Sequence, residues 1–192
     1  MTGKAVAILG SRNPAGQTAR ATDAVLEGLC AAGWEVRKEF LPTLRIERCR
    51  QCDERGWGDC RARGSCVIED DFAALVEAIR NSDCVVFATP VYFGDLSESF
   101  RAFTDRLRRI CRHENGRAGI EGKRALALCV AGGGGGGSPA CAESLDRVLR
   151  TIGFDLVDVI PLRRQNLAFK LTILPQHGKW LAAGAPESWP GP

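Results

Sequence analysis

The chain has 192 residues, of which 45% are hydrophobic and 26% charged, and this predicts one domain with a sizeable core. Its formal net charge of +3 is small and its acidic and basic residues are interspersed, so we expect binding to neither nucleic acid nor a membrane surface. No apolar stretch approaches the roughly 18–20 residues that span a bilayer, which argues against a membrane-inserted protein.

Short apolar runs alternate with helical periodicity along the chain. Residues 4–9 (KAVAIL) are apolar on both faces, as expected of a central parallel strand that is covered by helices on both sides. The whole pattern predicts strands at 4–9, 34–41, 83–88, 124–130 and 155–162, and helices at 18–32, 70–80, 97–112 and 141–152. Five strands joined by helical crossovers predict an α/β fold with a doubly wound parallel sheet.

One long loop interrupts this alternation. Residues 45–67 separate the second strand from the second helix, and this connection is longer than usual for a compact domain. We therefore predict a single domain over residues 1–180 with a cysteine-rich insertion at 45–67. Residues 181–192 are predicted to form a flexible tail.

The segment after the first strand is the first candidate binding site. Open parallel sheets bind ligands outside the carboxyl ends of their strands, where the strand order reverses. Residues 10–18 (GSRNPAGQT) offer polar side chains and backbone amides at a helix N-terminus, which suits a phosphate monoester. A plain N-capped turn is the simpler alternative. The predicted ligand-binding residues here are Ser11, Asn13, Gly16, Gln17 and Thr18.

Two further segments follow strand ends. Residues 89–96 (TPVYFGDL) form a turn with two adjacent aromatic side chains, which would hold the edge of a flat heteroaromatic ring unless they form a buried pair. Residues 132–137 are six consecutive glycines, which allow close backbone approach to a ligand or form a loose connector. The shared position of the three segments favours a flavin mononucleotide (FMN) site. Its remaining predicted contacts are Pro90, Val91, Tyr92, Phe93, Gly94, Asp95, Gly132 and Gly133.

Four cysteines crowd the long loop with the spacing C-x2-C-x7-C-x5-C: Cys49, Cys52, Cys60 and Cys66. Four thiolates from one short segment can hold an iron-sulfur cluster or complete a tetrahedral zinc site. The many arginines of the loop favour the cluster, because nearby cations lower thiol pKa and offset the charge of a thiolate-ligated centre. Zinc, or a redox disulfide between the first two cysteines, remains an alternative.

The other cysteines are predicted to be packing residues only. They lie inside predicted strands or helices, where a free cysteine usually behaves as a small hydrophobic side chain. A high cysteine count in a chain without a signal peptide or a short disulfide-scaffold appearance points to a reducing cytoplasm. These five residues are Cys30, Cys84, Cys111, Cys129 and Cys141.

Three segments of the chain resemble the NADPH-dependent FMN reductase family, specifically its iron-sulfur flavoprotein branch. They are the loop after strand one, the segment TPVYFGDLSESFRAF with the following Asp105 and Arg106, and the cysteine loop running into CVIEDDF. The resemblance covers about residues 4–160. It implies a flavodoxin-like sheet in the order 2-1-3-4-5, FMN held by the three loops, a four-cysteine cluster, and a homodimer or homotetramer.

The chain departs from that branch at two places. Seven residues separate Cys52 from Cys60, where the branch usually has two, so the third cluster ligand is the least secure. Gln17 stands where the family often has Asn before the Thr, and this change keeps an amide donor and acceptor.

These features predict a flavin-dependent oxidoreductase that moves electrons between FMN and a [4Fe-4S] cluster, brought close together at the sheet edge. Flavin accepts two electrons as hydride yet releases them singly, whereas a cluster carries one at a time. NAD(P)H, ferredoxin or a quinone would be donor or acceptor. No catalytic residue is assigned, although Tyr92 and His113 are candidate proton donors. The alternatives are an NAD(P)H:quinone or FMN reductase without a cluster, and a zinc-stapled, non-catalytic binding protein.

Overall fold

A computed structural model describes residues 2–187 and contains a five-stranded parallel sheet. The strands are β1 (Lys4–Leu9), β2 (Glu35–Phe40), β3 (Cys84–Pro90), β4 (Arg124–Ala131) and β5 (Asp155–Arg163). Their order is β2-β1-β3-β4-β5, and every neighbouring pair is parallel. The predicted doubly wound, flavodoxin-like sheet is therefore confirmed.

Helices connect the strands and follow the last one. They are α1 (Gln17–Ala31), α2 (Asp59–Ala62), α3 (Phe72–Arg80), α4 (Glu98–Ile110), α5 (Glu114–Arg117), α6 (Ser138–Ile152) and α7 (Leu167–Ala182). Helix α6 begins three residues earlier than predicted, because Pro139 is tolerated in a first turn, where its missing amide costs nothing. Among residues 2–187, no helix combines the length and the apolar character needed to cross a bilayer.

Helix α7 was not predicted from the sequence. It contains Pro175 in its interior and Gly178 near its end, two residues that normally argue against a helix. The helix also runs two residues into the segment that was predicted as a tail, while residues 188–192 of that segment lie outside the described part of the chain. Packing against α1 outweighs the poor helix propensity of these residues.

Alternate residues of the strands face two separate cores. Val85 and Phe87 of β3 point to the layer formed by α3, α4 and α6. Cys84, Val86 and Ala88 of the same strand point to the layer formed by α1 and α7. Because successive side chains of a strand alternate between faces, an apolar strand can bury both of its sides in this way.

The two helices of the second layer touch through glycines. A Cβ added at Gly178 would lie 2.0 Å from the carbonyl oxygen of Val25, and one added at Gly28 would lie 2.0 Å from that of Pro175. Both obstacles are backbone atoms, which cannot rotate away. Helices α1 and α7 therefore depend on these glycines for their close approach.

Gly178→Ala is expected to lower the free energy of unfolding by about 1–3 kcal/mol, the usual cost of overpacking, despite the better helix propensity of alanine. Denaturant unfolding would measure the change. Gly136→Ala is the matched control, because a Cβ there meets no atom within 4 Å in the part of the chain that the structure describes, and its φ is not positive. Equal stability of the two variants would contradict the close contact between α1 and α7.

Candidate functional site

Three loops meet at the carboxyl edge of the sheet, where the chain leaves β1, β3 and β4. The loops after β1 and β3 are joined, since Gly10 N donates to Ala88 O (2.8 Å) and Ser97 Oγ donates to Gly10 O (2.9 Å). A Cβ at Gly10 would lie 2.3 Å from Ser97 Oγ, so a side chain there would displace Ser97. β1 and β3 are neighbours at the point where the strand order reverses, the usual ligand site of such sheets.

The start of α1 presents backbone amides toward this edge. Gly16 is the N-cap residue, no side chain among residues 2–187 caps the helix, and its first turn carries no acidic residue. Asn13 shapes the preceding loop, because its Oδ1 accepts from Ala15 N (3.0 Å) and its carbonyl accepts from Gly16 N (3.1 Å). Gln17 Oε1 is buried without a hydrogen-bond partner among residues 2–187. This helix end thus has polar groups available to an anionic ligand.

The loop after β3 is a tight turn that exposes two aromatic side chains. Tyr92 and Asp95 exchange both backbone hydrogen bonds, each 3.0 Å long. Between them Phe93 and Gly94 have φ of 51° and 78°, the left-handed pair of a type I′ turn. Phe93 is fully exposed and Tyr92 is 47% exposed, so they do not form a buried aromatic pair. A left-handed, solvent-exposed phenylalanine is uncommon and points to a role in binding.

The end of the glycine run packs directly on that turn. A Cβ at Gly137 would lie 2.5 Å from the Cα of Gly94, and Gly137 itself has φ of 76°. The start of the run is held differently, since Gln165 Nε2 donates to Gly133 O (3.1 Å). Glycine is required at position 137 by both the close approach and the backbone conformation.

The structure brings most of the predicted contact residues to one edge of the sheet, and it distributes them unequally. Gly132 and Gly133 do not pack on the other two loops, because a Cβ at either position would meet no atom of the described residues within 4 Å. The exposed members of the predicted set are Asn13, Tyr92, Phe93, Gly132 and Gly133. The half-buried members are Ser11, Gly16, Gln17, Val91, Gly94 and Asp95, and the buried ones are Thr18 and Pro90.

Ser97→Ala is expected to loosen this edge. Ser97 is the N-cap of α4, its Oγ accepts from Phe100 N (3.4 Å), and the same hydroxyl donates to Gly10 O. Loss of a cap costs about 1 kcal/mol of stability, and the loop after β1 loses its tie to β3. The Tm of the variant should therefore be lower than that of the wild type, and FMN titration should show weaker binding. Unchanged FMN affinity would show that this tie does not shape the site.

The four loop cysteines, Cys49, Cys52, Cys60 and Cys66, line one pocket, which we call the cysteine pocket. The pKa of the Cys52 thiol is raised, first by partial burial and then by the proximity of the other three thiols. The pocket holds only about 20 Å³ of free space. Within residues 2–187, no three His, Cys, Asp or Glu side chains stand close enough together to hold one metal ion.

The cysteine pocket lies beside the second half of α4, because Arg106, Arg109 and Ile110 of that helix complete its lining. Arg106 comes nine residues after Ser97, about 14 Å further along a helix. The pocket therefore lies further along α4 than the start of that helix, where the loops after β1, β3 and β4 meet. We call these three loops the flavin loops. The cysteine loop lies along α4 because two arginines of that helix, Arg106 and Arg109, donate hydrogen bonds to its backbone.

Arginines surround the cysteine pocket. Arg109 donates to Gly56 O, and its guanidinium lies 4.8 Å from the centroid of the Trp57 ring. Arg61 approaches the same ring at 5.7 Å. Arg50 pairs with Glu47 (2.6 Å) at the exposed entrance. These contacts fix the tryptophan as a wall of the pocket and give the pocket a positive environment.

The likeness to known proteins decides the family. Residues 4–169 match the family described as NADPH-dependent FMN reductase. The chain belongs to this family. This confirms the family resemblance noted in the sequence. Several curated relatives of this FMN reductase family member are named iron-sulfur flavoprotein.

Two of these relatives come from archaea. The protein from Archaeoglobus fulgidus is 33% identical over 151 residues, which cover 78% of this chain and 64% of its own. The protein from Methanosarcina thermophila is 29% identical over 142 residues, covering 74% and 70%. This FMN reductase family member thus spans a little under two thirds of the length of the first relative.

A solved structure shares the fold. The NAD(P)H:quinone oxidoreductase from Methanothermobacter marburgensis superposes with a TM-score of 0.67 at 19% identity, covering 94% of this chain and 96% of its own. The residues at the carboxyl edge fit the FMN that the family description names. The uncapped start of α1 suits a phosphate, the unpartnered Gln17 Oε1 can accept from a ligand, and the exposed aromatic turn offers a surface for a flat ring.

A buried ion pair lies beside the cysteine pocket and was missed in the sequence. Arg106 Nη1 and Nη2 donate to the two carboxylate oxygens of Asp70 at 2.6 and 2.9 Å, and both side chains are fully buried. Burial raises the pKa of Asp70, but hydrogen bonds from Arg106 and from the amides of Glu47 and Phe72 outweigh it, so the pKa lies below its usual value. The signal was available, since Arg106 falls on the apolar face of α4 between Phe103 and Ile110.

The remaining cysteines of this family member divide into three groups. Cys84 and Cys111 are buried, and burial raises the pKa of each to about 12, so they stay neutral as packing residues. Cys129 and Cys141 are also buried, and the interaction of their thiols lowers the pKa of Cys129 and raises that of Cys141. Cys30 is exposed, so the prediction that it packs in the core is wrong.

Cys30 is exposed because the buried face of α1 ends at its neighbour, Leu29. One residue further along a helix turns the side chain by about 100°, which points it to solvent.

His113 is remote from the flavin loops, since it follows α4 at the opposite edge of the sheet. There its Nδ1 accepts from Asn115 N (3.1 Å) and caps α5, so it is not placed to donate a proton at the carboxyl edge.

Proposed function

We propose that the protein is an FMN-dependent oxidoreductase that passes electrons between FMN and a [4Fe-4S] cluster ligated by the four loop cysteines. The observation that carries the proposal is that these four thiols line one pocket on the fold of an FMN reductase family member. Bound FMN would supply the exchange of hydride for single electrons, and the cluster would supply one-electron storage. The curated relatives named iron-sulfur flavoprotein support the same pairing of cofactors.

The residues of the carboxyl edge have distinct roles in this proposal. The amides at the start of α1, with Ser11, Asn13, Gln17 and Thr18, bind the phosphate. The turn at Tyr92 to Asp95 and the glycine run border the ring, where Phe93 covers one face and excludes water. The tight contact between Gly94 and Gly137 fixes the spacing of the two ring-binding loops.

We propose a cluster rather than a single zinc ion in the cysteine pocket, because the surrounding arginines offset the negative charge of a thiolate-ligated centre. Zinc draws four sulfurs to about 2.3 Å from one point, whereas a cubane cluster spreads its four thiolates over separate irons. All four thiols line the same pocket, so they could serve as the ligands of either centre.

The proposal includes an assembly of identical chains. Within one chain, the cysteine pocket lies beside the second half of α4, while the flavin loops lie at its start. A homodimer or homotetramer would let the pocket of one protomer approach the flavin loops of its partner.

We further propose that residues 1–180 form one FMN-binding domain with the insertion at 45–67 and a tail after it. The protein would work in the cytoplasm, with NAD(P)H, ferredoxin or a quinone as electron donor or acceptor.

Anaerobic titration of the FMN-loaded protein tests the oxidoreductase activity. We expect NADPH or NADH to bleach the flavin absorbance, followed by loss of the broader cluster absorbance as electrons pass on. Bleaching by reduced ferredoxin alone would support electron transfer without a nicotinamide step. If neither donor reduces the bound flavin, the proposed function is wrong.

A second candidate is an NAD(P)H:quinone or FMN reductase that uses no cluster. It is favoured by the fold shared with the quinone oxidoreductase and by the thiols, which within residues 2–187 are not gathered around one metal position. Its protein would be yellow and would reduce a quinone with all four loop cysteines replaced by alanine. The cluster proposal instead requires those cysteines for electron transfer to a one-electron acceptor.

A further inference from the structure

We propose that Arg106 is a positioning residue for the cysteine pocket. Arg106 holds both ends of the cysteine loop against α4, an arrangement that we call the clasp, and it places a permanent positive charge beside Cys66. Its effect on a cluster rests on the proposed function, whereas its effect on the loop does not. Nothing in the family description or in the names of the relatives assigns this residue.

The clasp is visible in the hydrogen bonds of the guanidinium. Nη1 donates to Glu47 O (3.1 Å), two residues before the first cysteine, and Nη2 donates to Ile68 O (3.5 Å), two residues after the last. The partner carboxylate of Asp70 also accepts from Glu47 N (2.8 Å). A single buried ion pair therefore holds the entrance and the exit of the loop together.

The position of the guanidinium is tightly determined. It forms a bidentate pair with Asp70, and its centre lies 4.1 Å from the centroid of the Phe72 ring. The side chain is 1% exposed. A charged group held by so many contacts cannot turn to solvent when the loop moves, which makes its field at the pocket a constant feature.

The charge also faces the thiols. Arg106 lines the cysteine pocket, and Nε is buried without a hydrogen-bond partner in the described part of the chain. Reduction adds negative charge to a thiolate-ligated cluster, so a fixed cation nearby favours the reduced form and raises the reduction potential.

Three variants separate the clasp from the charge. Arg106→Lys keeps the charge but loses the bidentate pair. Arg106→Met combined with Asp70→Asn removes both charges, so that no lone buried ion remains to unfold the protein. Arg147→Met is the matched control, since Arg147 forms an exposed pair with Glu143 (3.6 Å) on α6, away from the loop.

Two measurements are made on each FMN-loaded variant. The first is the rate of trypsin cleavage at the exposed loop arginines, which are Arg45, Arg48, Arg50, Arg55, Arg61 and Arg63. The second is the reduction potential of the iron-sulfur signal, followed by electron paramagnetic resonance. Bound FMN, measured by its absorbance, reports that the domain is folded.

We expect the double variant to be cleaved in the loop at least about tenfold faster than the wild type. Its reduction potential should also be lower, because the lost guanidinium lines the cysteine pocket whereas the lost carboxylate of Asp70 does not. Arg106→Lys should also be cleaved faster, but its potential should stay near that of the wild type. Unchanged cleavage in the double variant would overturn the clasp. An equal fall of the reduction potential in both variants would overturn the role of the charge. A wild-type protein without any iron-sulfur signal would overturn that role as well, and it would also reject the proposed cluster. In that case the cleavage rates still decide whether Arg106 holds the loop.

Discussion

Asp70→Asn is expected to lower the free energy of unfolding by about 3–5 kcal/mol, because it leaves the buried guanidinium of Arg106 without its counter-charge. The loss is larger than for most single substitutions, since the same carboxylate also accepts from the amides of Glu47 and Phe72. Denaturant unfolding at neutral pH would measure it. The cost arises from breaking the pair, so it is no measure of what the pair contributes relative to two apolar residues.

Glu143→Gln provides the control for this substitution. Glu143 pairs with Arg147 at 3.6 Å on the surface of α6, where both side chains are largely exposed. Exposed pairs contribute between about 0 and 1 kcal/mol, so this variant should unfold close to the wild type. If both substitutions cost the same, the ion pair of Asp70 is not buried as described.

The wild-type protein should also lose the contribution of Asp70 on acidification. The pKa of Asp70 is lower in the folded chain than in the unfolded chain, so its stabilising effect is fully present above the ordinary pKa near about 4. It disappears as the pH falls through the folded value. The slope of stability against pH below about pH 4 should therefore be shallower in Asp70→Asn than in the wild type.

Cys66→Ala is expected to reduce bound iron and acid-labile sulfide at least about tenfold, while FMN stays bound. The substituted thiol lines the cysteine pocket, and a cluster with three cysteine ligands is left with an open iron. The flavin loops lie at the start of α4, away from the pocket, so they should be unaffected. Iron, sulfide and flavin analysis of anaerobically prepared protein gives all three quantities.

Cys30→Ala is the matched control for the loss of a thiol. Cys30 is an exposed cysteine near the end of α1 and does not line the cysteine pocket. This variant should keep the full iron, sulfide and FMN content. If Cys66→Ala retains its iron, or if Cys30→Ala loses it, the assignment of the loop cysteines as ligands is contradicted.

The sheet could be predicted from the sequence because each strand carries its own signal. β1 and β3 are apolar on both faces, which among short segments is typical of central parallel strands, and the helices between them have apolar residues at helical spacing. Helix α7 could not be predicted in this way. Its proline and glycine argue against a helix locally, and only the contact of Gly178 with α1 explains them.

The candidate site was predictable in its residues more than in its arrangement. Strand ends and the cysteine spacing identified the three loops and the four thiols. The path of the cysteine loop could not be read from spacing, because it depends on a buried pair between residues 36 positions apart in the chain, Asp70 and Arg106. Long-range pairing of this kind leaves no periodic pattern, although a charged residue on the apolar face of α4 was a usable sign.

The absorbance spectrum of freshly purified anaerobic protein, combined with iron, sulfide and zinc analysis, tests the central claim most directly. We expect flavin bands superimposed on the broad absorbance of an iron-sulfur cluster, with iron and acid-labile sulfide in equal amounts. A yellow protein without iron would leave only the quinone or FMN reductase. A colourless protein that binds zinc and takes up no added FMN would contradict the account entirely.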